Sequence, residues 1–291
     1  MVRKAVIPCA GLGRRWWPLA RIIPKEMLPL LDKPVIHYVV EEAIASGIKE
    51  IIVVINEHKK SLISYFENRD IFTSSDPEKN SRFRKDVGQP HKFSSEPVKI
   101  VFIDQPLPLG LGHAILMCQE AIGSEPFAIL LPDNIISSPL PCLRQLLAVY
   151  EKNGASVIAI EKVKKEEVSR CGLIRGEMIE PGTYLIQDMV EKPALNEAPS
   201  DLAIIGRYIL TPAIFEFLAR TEPGAENEIQ LTDGLRQLLS VEKIFGYLYE
   251  GRRYDVGTKP GFLQATIEFA LGQPEVGPSV RELIKTLTPK L

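Results

Sequence analysis

Apolar runs of strand length alternate with longer amphipathic segments through the first half of the chain, a rhythm that predicts strands joined by helices on the faces of a sheet. Residues 5–9, 51–55, 99–104 and 127–131 read as buried strands, while 35–46, 59–66, 112–121 and 140–153 read as helices. Pro34 suits a first helical turn and Gly47 the position just past a helix end, so the first helix is marked at both boundaries. Beyond Ala155 the pattern turns more strand-like, at 156–161, 172–175, 184–190 and 203–210. Helices near 211–219, 230–239 and 260–270 and a strand at 244–249 complete it. The polar, aperiodic stretch 68–97 reads as a long mobile loop or an oligomer contact. The fold class this predicts is α/β: a mostly parallel open sheet flanked by helices, with a smaller β-rich subregion in the second half. In such a sheet ligands sit beyond the carboxyl ends of the strands, so the loops after Cys9, Asp104 and Leu131 are expected to share one crevice.

Composition narrows the possibilities without changing that picture. The chain has 291 residues, 45% apolar and 25% charged, enough to bury one large core or two smaller ones. A formal net charge of −2, from 35 basic and 37 acidic residues, gives no electrostatic reason to expect a nucleic-acid or anionic-membrane partner. Any bound phosphate must therefore be met by local groups. No apolar stretch approaches the roughly 20 residues of a membrane span, and the basic start runs straight into a strand too short for a signal-peptide core. Cys9, Cys118, Cys142 and Cys171 form no CxxC pair and read as free thiols of a cytoplasmic protein.

The candidate chemistry begins after the first strand. Cys9-Ala10-Gly11-Leu12-Gly13-Arg14-Arg15 places glycines, which let backbone approach an anion, directly before two guanidiniums. A tight strand-to-helix turn asks for the same glycines, so this loop alone leaves two readings open. Lys25 follows in a frame set by Pro24 and Pro29, where packing asks for no lysine. Further on stand Gly110-Leu111-Gly112-His113, Leu131-Pro132-Asp133, Val190-Glu191-Lys192-Pro193, the segment from Ala198 to Tyr208, and Glu228-Ile229-Gln230-Leu231-Thr232-Asp233.

In this order, over residues 4–271, these motifs resemble the bacterial UTP–glucose-1-phosphate uridylyltransferase family, within the sugar-nucleotide pyrophosphorylases. The resemblance implies a Rossmann-like nucleotidyltransferase fold in a single domain over 1–291. Residues 1–150 would mainly bind nucleotide, 151–271 mainly sugar phosphate, and 272–291 would form a C-terminal helix. It implies Mg²⁺ as cofactor, UTP and a sugar 1-phosphate as ligands, a homodimer or homotetramer, and no nucleic-acid or membrane partner. By position it assigns Arg15, Lys25 and Lys192 to catalysis, and Ala10, Gly11, Gly13, Glu26, Gln105 and Gly110 to the nucleotide, where Arg14 is read beside them from its charge alone. Gly172, Glu191 and Lys192 fall to the sugar side, and Asp133 and Asp255 to the metal. Arg14 departs from the family's usual threonine, either adding a contact to the triphosphate or obstructing the pocket and altering substrate preference.

The residue types suit these roles. The Gln105 amide offers an acceptor and a donor that match N3–H and a neighbouring carbonyl of uracil or thymine, which leaves UTP and dTTP undistinguished. Asp133, at a strand end, with phosphate oxygens and waters makes an ordinary Mg²⁺ shell. Asp255, in Tyr254-Asp255-Val256-Gly257, is a second carboxylate or a turn residue. Glu191 suits sugar hydroxyls and Lys192 a phosphate, although a surface ion pair explains the same dipeptide. His113 reads as a packing or capping residue, and Trp16 and Trp17 as packing at a loop base. A sugar 1-phosphate, with a second pKa of about 6, is already ionised at neutral pH and attacks the α-phosphorus in line without a general base. Lys25 and Arg15 would then meet the departing pyrophosphate and Lys192 the attacking phosphate. Competing readings are another triphosphate or sugar phosphate, a glycosyltransferase, for which the Asp-x-Asp element is missing, and a non-catalytic nucleotide-sugar sensor.

Overall fold

A computed structural model describes residues 1–67, 98–224 and 227–288 of the chain; the stretch 68–97, read from the sequence as a loop, lies outside them. The strands are β1 (Lys4–Pro8), β2 (Pro29–Leu30), β3 (Lys33–Pro34), β4 (Glu50–Ile55), β5 (Lys99–Asp104), β6 (Phe127–Leu130), β7 (Asn134–Ser137), β8 (Ser156–Lys162), β9 (Gly172–Glu180), β10 (Thr183–Glu191), β11 (Leu202–Leu210), β12 (Ile244–Leu248) and β13 (Arg252–Asp255). Nine of them form one sheet in the order β5-β4-β1-β6-β11-β8-β12-β10-β9. The helices are α1 (Val35–Ala45), α2 (Lys60–Glu67), α3 (Leu111–Leu116), α4 (Gln119–Ile122), α5 (Cys142–Asn153), α6 (Ile214–Leu218), α7 (Leu231–Leu238), α8 (Lys259–Gly272) and α9 (Gly277–Leu287). None of the described helices is long and apolar enough to cross a membrane.

The strand period explains the layers. In β1, β4 and β6, Val6, Ile52, Val54, Phe127 and Ile129 point to one face, where α3, α4, α6 and α7 cover them. Ala5, Ile7, Ile51, Val53, Ala128 and Leu130 point to the other, under α1, α2 and α5. Both faces are buried, which is why these strands are continuous apolar runs rather than alternating ones. Phe127 stacks on Phe215 at 5.3 Å, tying the sheet centre to α6.

The parallel pairing runs through β5, β4, β1 and β6, as expected from the first half of the sequence. From there the sheet becomes mixed: β11 is antiparallel to both β6 and β8, and only β8–β12 returns to parallel. The β9–β10 hairpin extends beyond the sheet proper, because β10 meets β12 over Thr183–Leu185 alone and then pairs only with β9 as far as Glu191. This is the β-rich subregion of the second half. The register aligns Pro8 with Val54 and Ile55 with Asp104, so the carboxyl ends of β1, β4 and β5 reach one edge. The expected helix over 112–121 is two short ones, α3 and α4, with a break at Met117 and Cys118. Two short strands, β7 and β13, pair antiparallel beside the main sheet and carry Asp255 to the same edge.

Candidate active site

The loop after β1 is fixed from behind. Cys9 N–H donates to the Val54 carbonyl at 2.7 Å, and the buried Asn56 side chain donates to the Ala10 carbonyl at 2.6 Å. Gly13 then takes a left-handed conformation, φ 66°, that opens a 3₁₀ turn over Arg14–Trp16. Beyond the loop lies a cavity of about 380 Å³ whose wall includes Ala10, Gly11, Gly13, Arg14, Arg15, Lys25, Gln105, Gly110 and Asp133. Nine residues singled out from four separated stretches of sequence thus share one opening.

Lys25 and Asp133, 108 positions apart, are bonded at 2.6 Å, with their side chains 20% and 27% exposed. Burial acts against the Lys25 ammonium, yet Asp133 and Glu26 beside it carry its pKa above the ordinary lysine value. Burial likewise opposes ionisation of Asp133, and the facing Lys25 outweighs it, holding the carboxyl below its usual range. Asp255 behaves in the opposite way: burial and the negative charge of Asp133 push its pKa up. Both carboxylates flank Gly257, where a Cβ would stand 3.0 Å from Asp255 Oδ1 and 3.1 Å from Asp133 Oδ2. Two crowded carboxylates, one resisting ionisation, are a donor set that a divalent cation relieves. Among the described residues no third His, Cys, Asp or Glu completes a cluster. The set therefore fits a hard ion that keeps water and phosphate oxygens, and does not fit a closed site of four protein ligands.

Asp133 is itself held by a buried charge pair. Arg207, on β11 and 0% exposed, meets Glu42 of α1 at 2.7 Å and donates to the carbonyls of Leu131 at 3.1 Å and Asn134 at 2.7 Å. One guanidinium thus grips the backbone on both sides of Asp133. Asn134 adds its own amide, 3.2 Å from Asp133 Oδ1.

The sugar-side residues form an adjoining group. Glu191 pairs in register with Gly172, and Lys192 N–H donates to the Cys171 carbonyl at 3.1 Å. Thr232 donates its hydroxyl to Glu191 Oε2 at 2.6 Å, and a Cβ on Gly172 would meet that same oxygen at 2.9 Å. Lys192 has φ 45°, a left-handed backbone uncommon for lysine and frequent at ligand sites. Gly172, Glu191, Lys192 and Asp255 are not part of the cavity wall; for the sugar-side group the link is along the chain, from Glu228 in that wall to Thr232, which bonds Glu191. The Tyr208 hydroxyl is raised by burial and then by the charges of both Glu191 and Asp133. Burial also raises the Cys171 thiol, which feels Arg253, Asp255 and Glu191 together.

With this geometry in place, the comparisons with known proteins are decisive. The family described as nucleotidyl transferase matches residues 4–270. The chain belongs to that family. It is 43% identical over 286 residues to a UTP–glucose-1-phosphate uridylyltransferase of Staphylococcus epidermidis, covering 98% of each chain. It superposes with a TM-score of 0.83 on a UDP-glucose pyrophosphorylase complexed with UDP-glucose, 42% identical, covering 94% of this chain and 100% of the other. A UTP-bound UGPase of Acinetobacter baumannii gives a TM-score of 0.86 at 34% identity, covering 99% and 100%. The resemblance read from the ordered motifs, and the α/β nucleotidyltransferase fold it implied, are borne out.

Within this nucleotidyl transferase, some residues stand elsewhere than the motifs suggested. Glu26 is 1% exposed and is not part of the cavity wall; its Oε2 takes the Lys59 ammonium at 2.6 Å. A 3₁₀ turn over Lys25–Met27 rotates successive side chains by about 120°, so Lys25 and Glu26 face different surroundings. Trp16 packs edge-on against Phe262 at 5.2 Å, whereas Trp17 is largely exposed beneath Arg21. Gln105 keeps its nitrogen for Gly110 and His113, so it does not offer the base both a donor and an acceptor. Sequence reasoning missed Asn56, Arg207 and Thr232, which act on backbone or on another side chain. It also gave no role to Glu228, which lines the cavity. Arg207, Thr232 and Glu228 lay inside quoted motifs, and that position was the available signal.

Proposed function

We propose that the chain transfers the uridylyl group of UTP to glucose 1-phosphate and releases pyrophosphate, with Mg²⁺ as the divalent ion. The observation that carries this reading is the Lys25–Asp133 pair inside the cavity of the glycine loop. The pair supplies a cation for phosphate and a carboxylate for metal, while Glu191 and Lys192 stand outside the wall of that cavity.

Residues 1–150 supply the nucleotide side of the site and 151–271 the sugar side of a single domain. The loop amides of Gly11 and Gly13, with Arg14 and Arg15, receive the triphosphate, and Gln105 and Gly110 read the base. Glu26 acts through its charge on Lys25. Lys192 places the attacking phosphate, Glu191 and Gly172 hold the hexose, and Lys25 and Arg15 balance charge on the leaving pyrophosphate. Asp133 and Asp255 would hold Mg²⁺, which when bound neutralises phosphate charge and orients the triphosphate. Both reacting phosphates are anions before they meet, so alignment and neutralisation replace a general base. The resemblance extends this reading to a cytoplasmic homodimer or homotetramer, which sedimentation of the purified protein measures.

The test is a matrix of UTP, dTTP, CTP, ATP and GTP against several sugar 1-phosphates with Mg²⁺, reading pyrophosphate. UTP with glucose 1-phosphate is expected to lead, and no release from any pair sinks the enzymatic reading. A dTTP rate equal to that of UTP shows that nothing in the pocket senses the 5-methyl group.

A further inference from the structure

Gln105 closes β5 with its side chain buried inside the cavity wall, and its own N–H bonded to the Ile55 carbonyl at 2.7 Å. Its amide nitrogen lies 3.2 Å from the Gly110 carbonyl oxygen and 2.9 Å from His113 Nδ1. A carbonyl oxygen only accepts, so the amide must turn its nitrogen toward Gly110. The second amide hydrogen then needs an acceptor, and the Nδ1 lone pair of His113 is the atom in place. Both N–H groups are thereby taken. Oε1 remains, without a partner among the described residues yet not sealed from the cavity.

We infer that the His113 Nδ1 lone pair locks the Gln105 amide with Oε1 toward the base, which makes His113 a positioning residue for nucleotide choice. This rests on the reading of Gln105 as the base-facing residue. Uracil carries N–H at position 3 and donates to Oε1; cytosine carries a bare nitrogen there and meets Oε1 with repulsion. The reversed amide suits cytosine, but it sets oxygen against the Gly110 carbonyl and requires His113 to move its proton onto Nδ1. Burial lowers the pKa of His113, which disfavours the imidazolium, and the Gln105 N–H aimed at Nδ1 favours the tautomer that accepts there. The amide of a base-reading glutamine is ambiguous by itself, since a half-turn about its last bond exchanges donor for acceptor. Gly110 and His113 together remove that ambiguity.

The experiment compares kcat/KM for UTP and CTP, with glucose 1-phosphate and Mg²⁺, in wild type, Gln105→Ala, His113→Leu, His113→Asn and His113→Gln. Asn places its side-chain oxygen near the Nδ1 position, whereas the longer Gln carries its amide past it. His113→Leu and His113→Gln are expected to cut the UTP:CTP preference by about 3- to 10-fold, the size of one neutral hydrogen bond, through KM with kcat nearly unchanged. His113→Asn is expected to keep most of the preference. Equal losses in His113→Asn and His113→Gln, or an unchanged preference in a His113→Leu protein that melts like wild type, overturn the inference. Should His113→Leu not fold, the contrast between the Asn and Gln variants decides alone. If Gln105→Ala leaves the preference untouched, the base-reading role of Gln105 falls with it. If Gln105→Ala moves the preference and the His113 variants do not, only the role of His113 falls.

Discussion

Gly110 sits with φ 102° and ψ 176°, a conformation essentially reserved for glycine, at the mouth of the nucleotide cavity. A Cβ there would also press on the Glu228 Cβ at 2.7 Å and the Ile229 carbonyl at 2.8 Å. Gly110→Ala is expected to lower stability by about 2 kcal/mol or more, from the strained backbone alone, and to raise KM for UTP because the Gly110 carbonyl orients Gln105. Denaturant unfolding and steady-state kinetics measure the two effects. At this scale the sequence was informative where a residue acts directly. Lys25 stood out because prolines framed it, and Asp133 because it ended an apolar run. Asn56 was illegible because its partner is the Ala10 backbone carbonyl, whose position no residue type announces, and Arg207 stood in a motif without its role, since its partner Glu42 lies 165 positions away.

At the scale of elements, α1 and β11 meet through Glu42 and Arg207, and the pair holds the backbone around Asp133. Arg207→Met leaves Glu42 buried without its cation, a loss expected to cost about 3–5 kcal/mol. Combining Arg207→Met with Glu42→Leu removes both charges and should recover a large part of it, which thermal melts will show. The same helix carries an acid-sensitive group. The hydrogen bond to His37, and then, against the opposing effect of burial, the contact with Lys33, lower the Glu41 carboxyl from 4.5 to about 2. A depressed folded-state pKa stabilises the fold above about pH 4.5, and that contribution disappears as pH falls toward 2. Glu41→Gln should therefore flatten the stability profile between those values in an acid titration followed by circular dichroism. The parallel half of the sheet was readable because both faces are buried and its strands are unbroken apolar runs. The β7–β13 pair was not, since Arg252-Arg253-Tyr254-Asp255 has neither alternation nor an apolar run.

Across the whole molecule, one sheet joins the two groups of site residues, so ligand binding on its edge should stabilise the fold as a unit. UTP at a hundred times its dissociation constant contributes about 2.7 kcal/mol, and the melting temperature should rise by about 5 °C, as differential scanning fluorimetry will measure. An unmoved melting curve at that concentration would show that the cavity does not receive the nucleotide. The change from parallel to antiparallel pairing at β11 was beyond the sequence, because strand direction depends on how the chain returns across the sheet and not on the strand's own residues.

While Lys25 and Asp133 hold each other at 2.6 Å, the entrance is electrically balanced and neither side chain presents its full charge outward. A triphosphate that draws the ammonium away leaves the carboxylate wanting a positive neighbour, and a divalent ion that occupies the carboxylate releases the ammonium for phosphate. Each arrival then helps the other by the same factor. Nucleotide and ion should accordingly enter as a couple, with the paired side chains changing partners as they come.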